Sequence, residues 1–127
     1  MTAESLSVPP QLRNFWVKQD FYQIYKDEDA GNSDLVKNVE IRLGRPGVRR
    51  IRLDDIIRFN DDPTCERVVD RISLFRSFDD IVKKINPSRI DPTRTPEDLL
   101  EYGHGLYSPG EVALYGLVAI ELKPKNK

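Results

Sequence analysis

The chain has 127 residues, of which 39% are hydrophobic and 32% are charged, and its formal net charge is −1. This length and apolar content predict one domain with a buried core and exclude a disordered chain. No apolar run approaches the ~20 residues of a membrane-spanning helix, so we expect no membrane partner. The near-neutral charge excludes a general attraction to nucleic acid, so any site for a polyanion must be local.

The sequence carries few of the residue types that bind metals or form disulfides. His104 is the only histidine and Cys65 the only cysteine, which excludes an intrachain disulfide and the usual kind of zinc site. Neither a nucleophile elbow nor a phosphate-binding P-loop is present, so we expect no metal and no cofactor. The N-terminal stretch "MTAESLSVPP" lacks the pattern of a signal peptide, so we expect an intracellular protein, cytoplasmic or nuclear.

The N-terminal third predicts a lead-in and one helix. Residues 1–13 are polar with a Pro9-Pro10 break and predict a flexible lead-in, and 124–127 predict a polar tail. The domain itself is expected over 14–123. Within it, aromatic and apolar residues recur at helical spacing over about 15–27, which predicts a short amphipathic helix followed by a polar loop.

The middle of the chain predicts strands. Val39, Ile41 and Leu43 alternate with charged residues, which is typical of a half-buried strand. "GRPG" has turn chemistry, and 49–59 is apolar enough to form a second strand. We expect these two strands to pair as a hairpin, followed by further β-structure over 65–75.

Helix starts are predicted by capping signatures in the last third of the chain. A hydroxyl residue is followed three positions later by an acidic residue at three places: Ser77 and Asp80, Thr95 and Asp98, Ser108 and Glu111. The run Leu117–Leu122 is short and apolar and predicts a buried strand. Strands interleaved with short helices favour an α+β fold or a small barrel with helical insertions.

Half of the twelve arginines lie between Arg42 and Arg58. If 39–43 and 49–59 pair as a hairpin, several guanidinium groups share one surface that suits phosphates, because arginine donates two parallel hydrogen bonds to oxygens. The alternative is that these arginines pair with nearby aspartates on an exposed face.

Four motifs, in order, resemble the ASCH domains, the group related to the activating-signal-cointegrator homology domain. They are "KNVEIRL", "RRIRLDDIIRF", "RVVDRISLFRSFDDIV" and "LYSPGEVALYGLVAIEL". The resemblance as a whole covers about 18–123. In the second motif Asp54 stands where the family usually has glycine, so a different turn geometry is expected there. The resemblance implies an α+β, PUA-like small β-barrel with short flanking helices.

The resemblance also implies a ligand and a site. ASCH domains are widely proposed to bind RNA or a modified nucleotide in a cleft between the signature strand and the loop before the last strand. The positions of this chain that would line that cleft are Lys37, Glu40, Arg42, Tyr107 and Ser108. The nearby Arg45, Arg49, Arg50 and Arg52 would contact the nucleic-acid backbone.

Other interpretations remain open. Some proteins that resemble this sequence hydrolyse acylated nucleosides or cleave single-stranded RNA, and here Lys37 and Glu40 would form the catalytic pair. Glu40 occupies the threonine position of the amidohydrolases, which disfavours that reaction. A second alternative is a protein-interaction module with a vestigial cleft. Glu40 and Arg42 also fit a structural ion pair, and Ser108 fits a helix cap.

Overall fold

The computed structural model describes residues 8–32 and 34–125. The lead-in prediction for 1–7 and the tail prediction for 126–127 lie outside the described residues. β-structure begins at Leu12 and ends at Pro124, so it reaches into both of the predicted end segments. Within the described ranges, no helix is long and apolar enough to cross a membrane.

Strands and short helices alternate irregularly along the chain. Their bounds are β1 (Leu12–Phe15), α1 (Gln19–Asp29), β2 (Val39–Leu43), α2 (Pro46–Arg49), β3 (Ile56–Phe59), β4 (Glu66–Phe75), α3 (Phe78–Lys84), α4 (Pro87–Ile90), α5 (Pro96–Leu106), α6 (Pro109–Tyr115) and β5 (Leu117–Pro124). The predicted strands over 39–43, 65–75 and 117–122 are confirmed.

The five strands form one open sheet in the order β1-β3-β4-β5-β2. β1 and β2 are its two edges, and among the described residues they do not pair with each other. The prediction of a PUA-like β-barrel is therefore wrong, whereas the α+β class is confirmed. β1 runs parallel to β3, and every other neighbouring pair is antiparallel.

The predicted hairpin is also wrong. β2 pairs with β5, with Val39 opposite Glu121, and the segment after β2 turns into the short helix α2 instead of a strand. Pro46 begins α2 because its ring presets a helical φ and its missing N–H is not needed at that position. The six arginines between Arg42 and Arg58 therefore do not share a hairpin surface.

Both faces of the sheet are buried, which explains why β5 is apolar at consecutive positions. Val118, Ile120 and Leu122 pack on one face, in a cluster that also contains a residue of α1. Leu117 and Ala119 pack on the opposite face against α3, α4 and α5. A strand covered on both faces has no solvent side to supply polar residues.

The three predicted helix caps are confirmed. The hydroxyls of Ser77 and Thr95 accept hydrogen bonds of 3.1 Å from backbone N–H groups at the starts of α3 and α5. Ser108 accepts one of 3.2 Å at the start of α6. The predicted helix over 15–27 is confirmed in type, but it begins at Gln19 because Phe15 belongs to β1 and pairs with β3.

Asp54, which stands at the expected glycine position, has φ = +72°. This is the left-handed region, which glycine adopts freely and other residues adopt at a cost. The turn before β3 therefore keeps a glycine-like backbone although its residue is aspartate.

Candidate functional site

Lys37 and Glu40, both from the segment "KNVEIRL", lie at the edge of the sheet that β2 forms. Leu122 N–H donates to Asn38 O, and the antiparallel ladder alternates from there, so the carbonyls of Val39 and Ile41 point away from β5. Such an edge carbonyl needs a partner when it is buried. Here side chains supply the partners, and no further strand pairs with β2 among the described residues.

Lys37 satisfies part of this edge from a buried position, with 2% of its surface exposed. Its Nζ lies 2.6 Å from Val39 O, 2.6 Å from Ile90 O and 3.2 Å from Glu40 Oε2. An ammonium has three N–H donors, and these three acceptors occupy all of them. Burial lowers the pKa of Lys37, and the charge of Glu40 opposes part of that shift.

Glu40 is the centre of the cluster and is also 2% exposed. Its Oε2 accepts from the Tyr25 hydroxyl at 2.7 Å, and its Oε1 accepts from Arg42 Nη1 at 3.0 Å. Burial acts to raise the pKa of Glu40, but the charges of Lys37 and Arg42 and the hydrogen bonds outweigh it. The pKa therefore lies below its ordinary value, and the carboxylate stays ionised.

Arg42 connects the buried cluster to the surface. Its guanidinium donates to the carbonyls of Ile41 at 2.9 Å and Trp16 at 3.4 Å, and lies 4.7 Å from the centre of the Phe15 ring. About 30% of its side chain is exposed. Arg42 therefore has both a structural bond to Glu40 and a face that a ligand can reach.

Tyr107 and Ser108 lie near β2 but serve mainly as structural residues. The Tyr107 hydroxyl donates to Ile41 O at 3.0 Å, and burial raises the pKa of Tyr107 to about 12. Ser108 caps α6, and its hydroxyl also donates to Glu111 at 3.1 Å. The structure therefore brings Lys37, Glu40 and Arg42 into one cluster and places Ser108 at the helix start.

The four arginines predicted to contact a nucleic-acid backbone fall into two groups. Arg45 forms an ion pair with Glu111, and Arg49 donates to the backbone carbonyls of Tyr115 at 2.9 Å and Gly44 at 3.1 Å, so both connect the α2 segment to α6. Arg50 and Arg52 are exposed, and their guanidinium groups have no partner among the described residues.

Residues that the sequence interpretation overlooked lie directly above the buried lysine. The Phe21 ring lies 4.3 Å from Lys37 Nζ and 4.5 Å from Lys18 Nζ. Lys18 Nζ also contacts Tyr102, 3.2 Å from its hydroxyl and 4.7 Å from the ring centre. Among the described residues no carboxylate lies within ion-pairing distance of Lys18.

Arg94 and Trp16 extend this region in two directions. The Arg94 guanidinium lies 3.8 Å over the Tyr102 ring and pairs with Asp91 and Asp98. Trp16 is 70% exposed and follows β1. We define the aromatic–cation surface as six residues: Trp16, Lys18, Phe21, Arg42, Arg94 and Tyr102. Trp16 is joined to Arg42 through its backbone carbonyl.

A weak signal for part of this surface is present in the sequence. "FWVKQDF" interleaves aromatic rings with a cation, a composition that single-strand binding sites use. Tyr102 and Arg94 gave no such signal, because they come from a distant segment and approach Lys18 only in the folded chain. Among the described residues there is no group of three or more histidine, cysteine or acidic side chains arranged to hold a metal ion.

Comparison with known proteins identifies the fold. The crystal structure of hypothetical protein PH0355 is 24% identical, covers 91% of this chain and all of its own, and has a TM-score of 0.75. The solution NMR structure of protein PF0455 from Pyrococcus furiosus is 22% identical, covers 90% of this chain and 97% of its own, and has a TM-score of 0.67. No family model and no curated protein matches the chain.

Proposed function

We propose that this protein binds single-stranded RNA, or a nucleotide, on the aromatic–cation surface. The observation that carries the proposal is the continuous contact of Lys18 with Phe21 and Tyr102 directly over the buried Lys37. Aromatic rings next to a cation that has no carboxylate partner, as Lys18 has none among the described residues, form a platform on which bases stack and phosphates are bound.

The exposed members of the surface match the two parts of a nucleotide. Trp16 has a largely exposed ring, and stacking of one base on such a ring contributes about 1–3 kcal/mol. Lys18 supplies a positive charge for a phosphate, and about 30% of the Arg42 side chain is exposed to a ligand although its guanidinium is held by Glu40. The resemblance of the Lys37–Arg42 motif to ASCH domains supports the same class of ligand.

The buried cluster supports binding rather than hydrolysis. A catalytic lysine needs an accessible nitrogen with a free electron pair, whereas Lys37 is 2% exposed and all three of its donors are occupied. The cluster instead holds Arg42 in place through Glu40 and keeps a positive charge beneath the Phe21 ring.

Fluorescence anisotropy with a labelled mixed-sequence RNA tests the proposal. We expect binding at low salt that weakens as the salt concentration rises, because phosphate contacts release counterions. Trp16→Ala should raise Kd by roughly 5- to 150-fold, which corresponds to the loss of one stacked base. Lys18→Ala should weaken binding and reduce the salt dependence.

Two variants serve as matched controls. Lys83→Ala removes an equal charge from α3, and Leu53→Ala truncates another exposed apolar side chain, so both should leave Kd unchanged. The proposal is overturned if RNA does not bind at low salt, or if Trp16→Ala and Lys18→Ala bind as tightly as the controls. Turnover of acetylated nucleosides or RNA that disappears in Lys37→Met, at a temperature where circular dichroism shows that variant to be folded, would replace binding with catalysis.

A further inference from the structure

A concave pocket lies between α3, α5 and α6, with a volume of about 350 Å³. It shares no residue with the aromatic–cation surface. The residues that form its apolar walls and floor are Phe78, Gly103, Tyr107, Val112, Ala113 and Leu117. This volume is at the small end of the range for ligand pockets, so it suits a compact apolar body.

The walls of this pocket are held by contacts with one another and by one hydrogen bond to β2. The Tyr107 ring lies 6.4 Å from the Phe78 ring at an angle of 28°, and its hydroxyl is bound to Ile41 O. α5 approaches Phe78 closely because Gly103 has no side chain, since a Cβ there would lie 2.4 Å from the Phe78 ring. The pocket is therefore formed by fixed elements in the folded chain.

One unopposed positive charge stands at the rim. Arg76 is exposed, and among the described residues its guanidinium has no hydrogen-bond or ion-pair partner. The acidic residue on the same rim, Asp79, is bound to His104 at 2.5 Å. Of the charged side chains on this rim, Arg76 is therefore the one without a partner among the described residues.

We propose that this pocket binds a small apolar carboxylic acid, about the size of one aromatic ring with a short chain. Its apolar part lies between Phe78, Tyr107 and Leu117, and its carboxylate pairs with Arg76. A guanidinium binds a carboxylate through two parallel hydrogen bonds, and the apolar walls disfavour a ligand with several charges. This inference is independent of the proposed RNA binding.

Titration of the ¹⁵N-labelled protein with two matched probes tests it. The probes are 4-phenylbutyrate and 4-phenylbutylamine, which carry the same phenyl ring on four-carbon chains and have opposite charges. The carboxylate should produce saturable amide shifts around the pocket, and the amine should bind at least about tenfold more weakly. Arg76→Gln should weaken the binding of 4-phenylbutyrate by about tenfold. Lys83→Gln, an equal charge change on α3, should leave this binding unchanged.

A pocket-filling variant separates binding inside the pocket from binding at its rim. Ala113 is exposed, so Ala113→Phe should fill the cavity without lowering Tm and should abolish the shifts. The proposal is overturned if both probes bind equally, if Arg76→Gln or Ala113→Phe binds like the unmodified protein, or if no saturable shift occurs up to about 10 mM carboxylate.

Discussion

Because Lys37 is buried and fully hydrogen-bonded, replacing it should lower the free energy of unfolding. Lys37→Met keeps a long, unbranched side chain but removes the charge and all three hydrogen bonds. Glu40 then loses its closest buried cation, and the carbonyls of Val39 and Ile90 lose their short bonds to the lysine. Breaking a buried ion pair by removing one partner typically costs about 3–5 kcal/mol, because the other charge stays buried.

That cost is large for a domain of this size. At roughly 0.05–0.15 kcal/mol per residue, the free energy of unfolding of a 127-residue chain is about 6–19 kcal/mol. A loss of 3–5 kcal/mol should lower Tm by about 10–20 °C. Urea unfolding followed by circular dichroism measures the loss directly, provided that the m-value is unchanged.

Two comparisons make the result specific. Lys123→Met removes an exposed lysine whose nearest carboxylates are 3.7 and 4.0 Å away, and it should cost less than about 1 kcal/mol. The double variant Lys37→Met with Glu40→Gln should cost less than the sum of the single variants by about 1–3 kcal/mol. The reasoning is refuted if Lys37→Met costs no more than Lys123→Met, or if the double variant is simply additive.

Three further predictions concern separate residues. Asp54→Gly should raise the free energy of unfolding by about 0.5–1 kcal/mol because φ is positive there, and Asp54→Ala, which keeps the steric cost, should give no gain. Because the folded-state pKa of Glu40 is depressed, its contribution is present above pH ~4.5 and is lost as pH falls through the folded-state value. The stability advantage of the unmodified protein over Glu40→Gln should therefore shrink between pH 7 and about pH 3, and a constant gap in urea titrations would contradict this. Burial raises the pKa of Cys65 to about 11, so at pH ~8 the native thiol should react with Ellman's reagent roughly 100-fold more slowly than the unfolded chain. Equal rates would show that Cys65 is accessible.

Structural features that depend on only a few neighbouring residues could be predicted from the sequence. A capping hydroxyl needs only the N–H group three positions ahead, so Ser77, Thr95 and Ser108 could be identified without knowing the fold. The apolar run of β5 likewise indicated a strand buried on both faces. The α+β class followed from the mixture of these local elements.

Strand partners could not be predicted in the same way. β2 and 49–59 are adjacent in the chain, which favoured a hairpin, but β2 pairs with β5 at the other end of the sequence. The predicted barrel does not form either. Side chains, and not a further strand, satisfy the outer carbonyls of β2. Pairing between distant strands depends on the complete core, which local patterns do not contain.

In the candidate site, too, some features follow from local sequence and others from the packing of distant segments. The placement of Glu40 and Arg42 on one face of their strand follows from their spacing, because side chains two positions apart in a strand point the same way. The burial of Lys37, in contrast, depends on Ile90, which lies 53 positions away and reaches it only in the folded chain. The contact between Lys18 and Tyr102 spans 84 positions. Burial and proximity are properties of distant segments packed together, so they arise only when the whole chain folds.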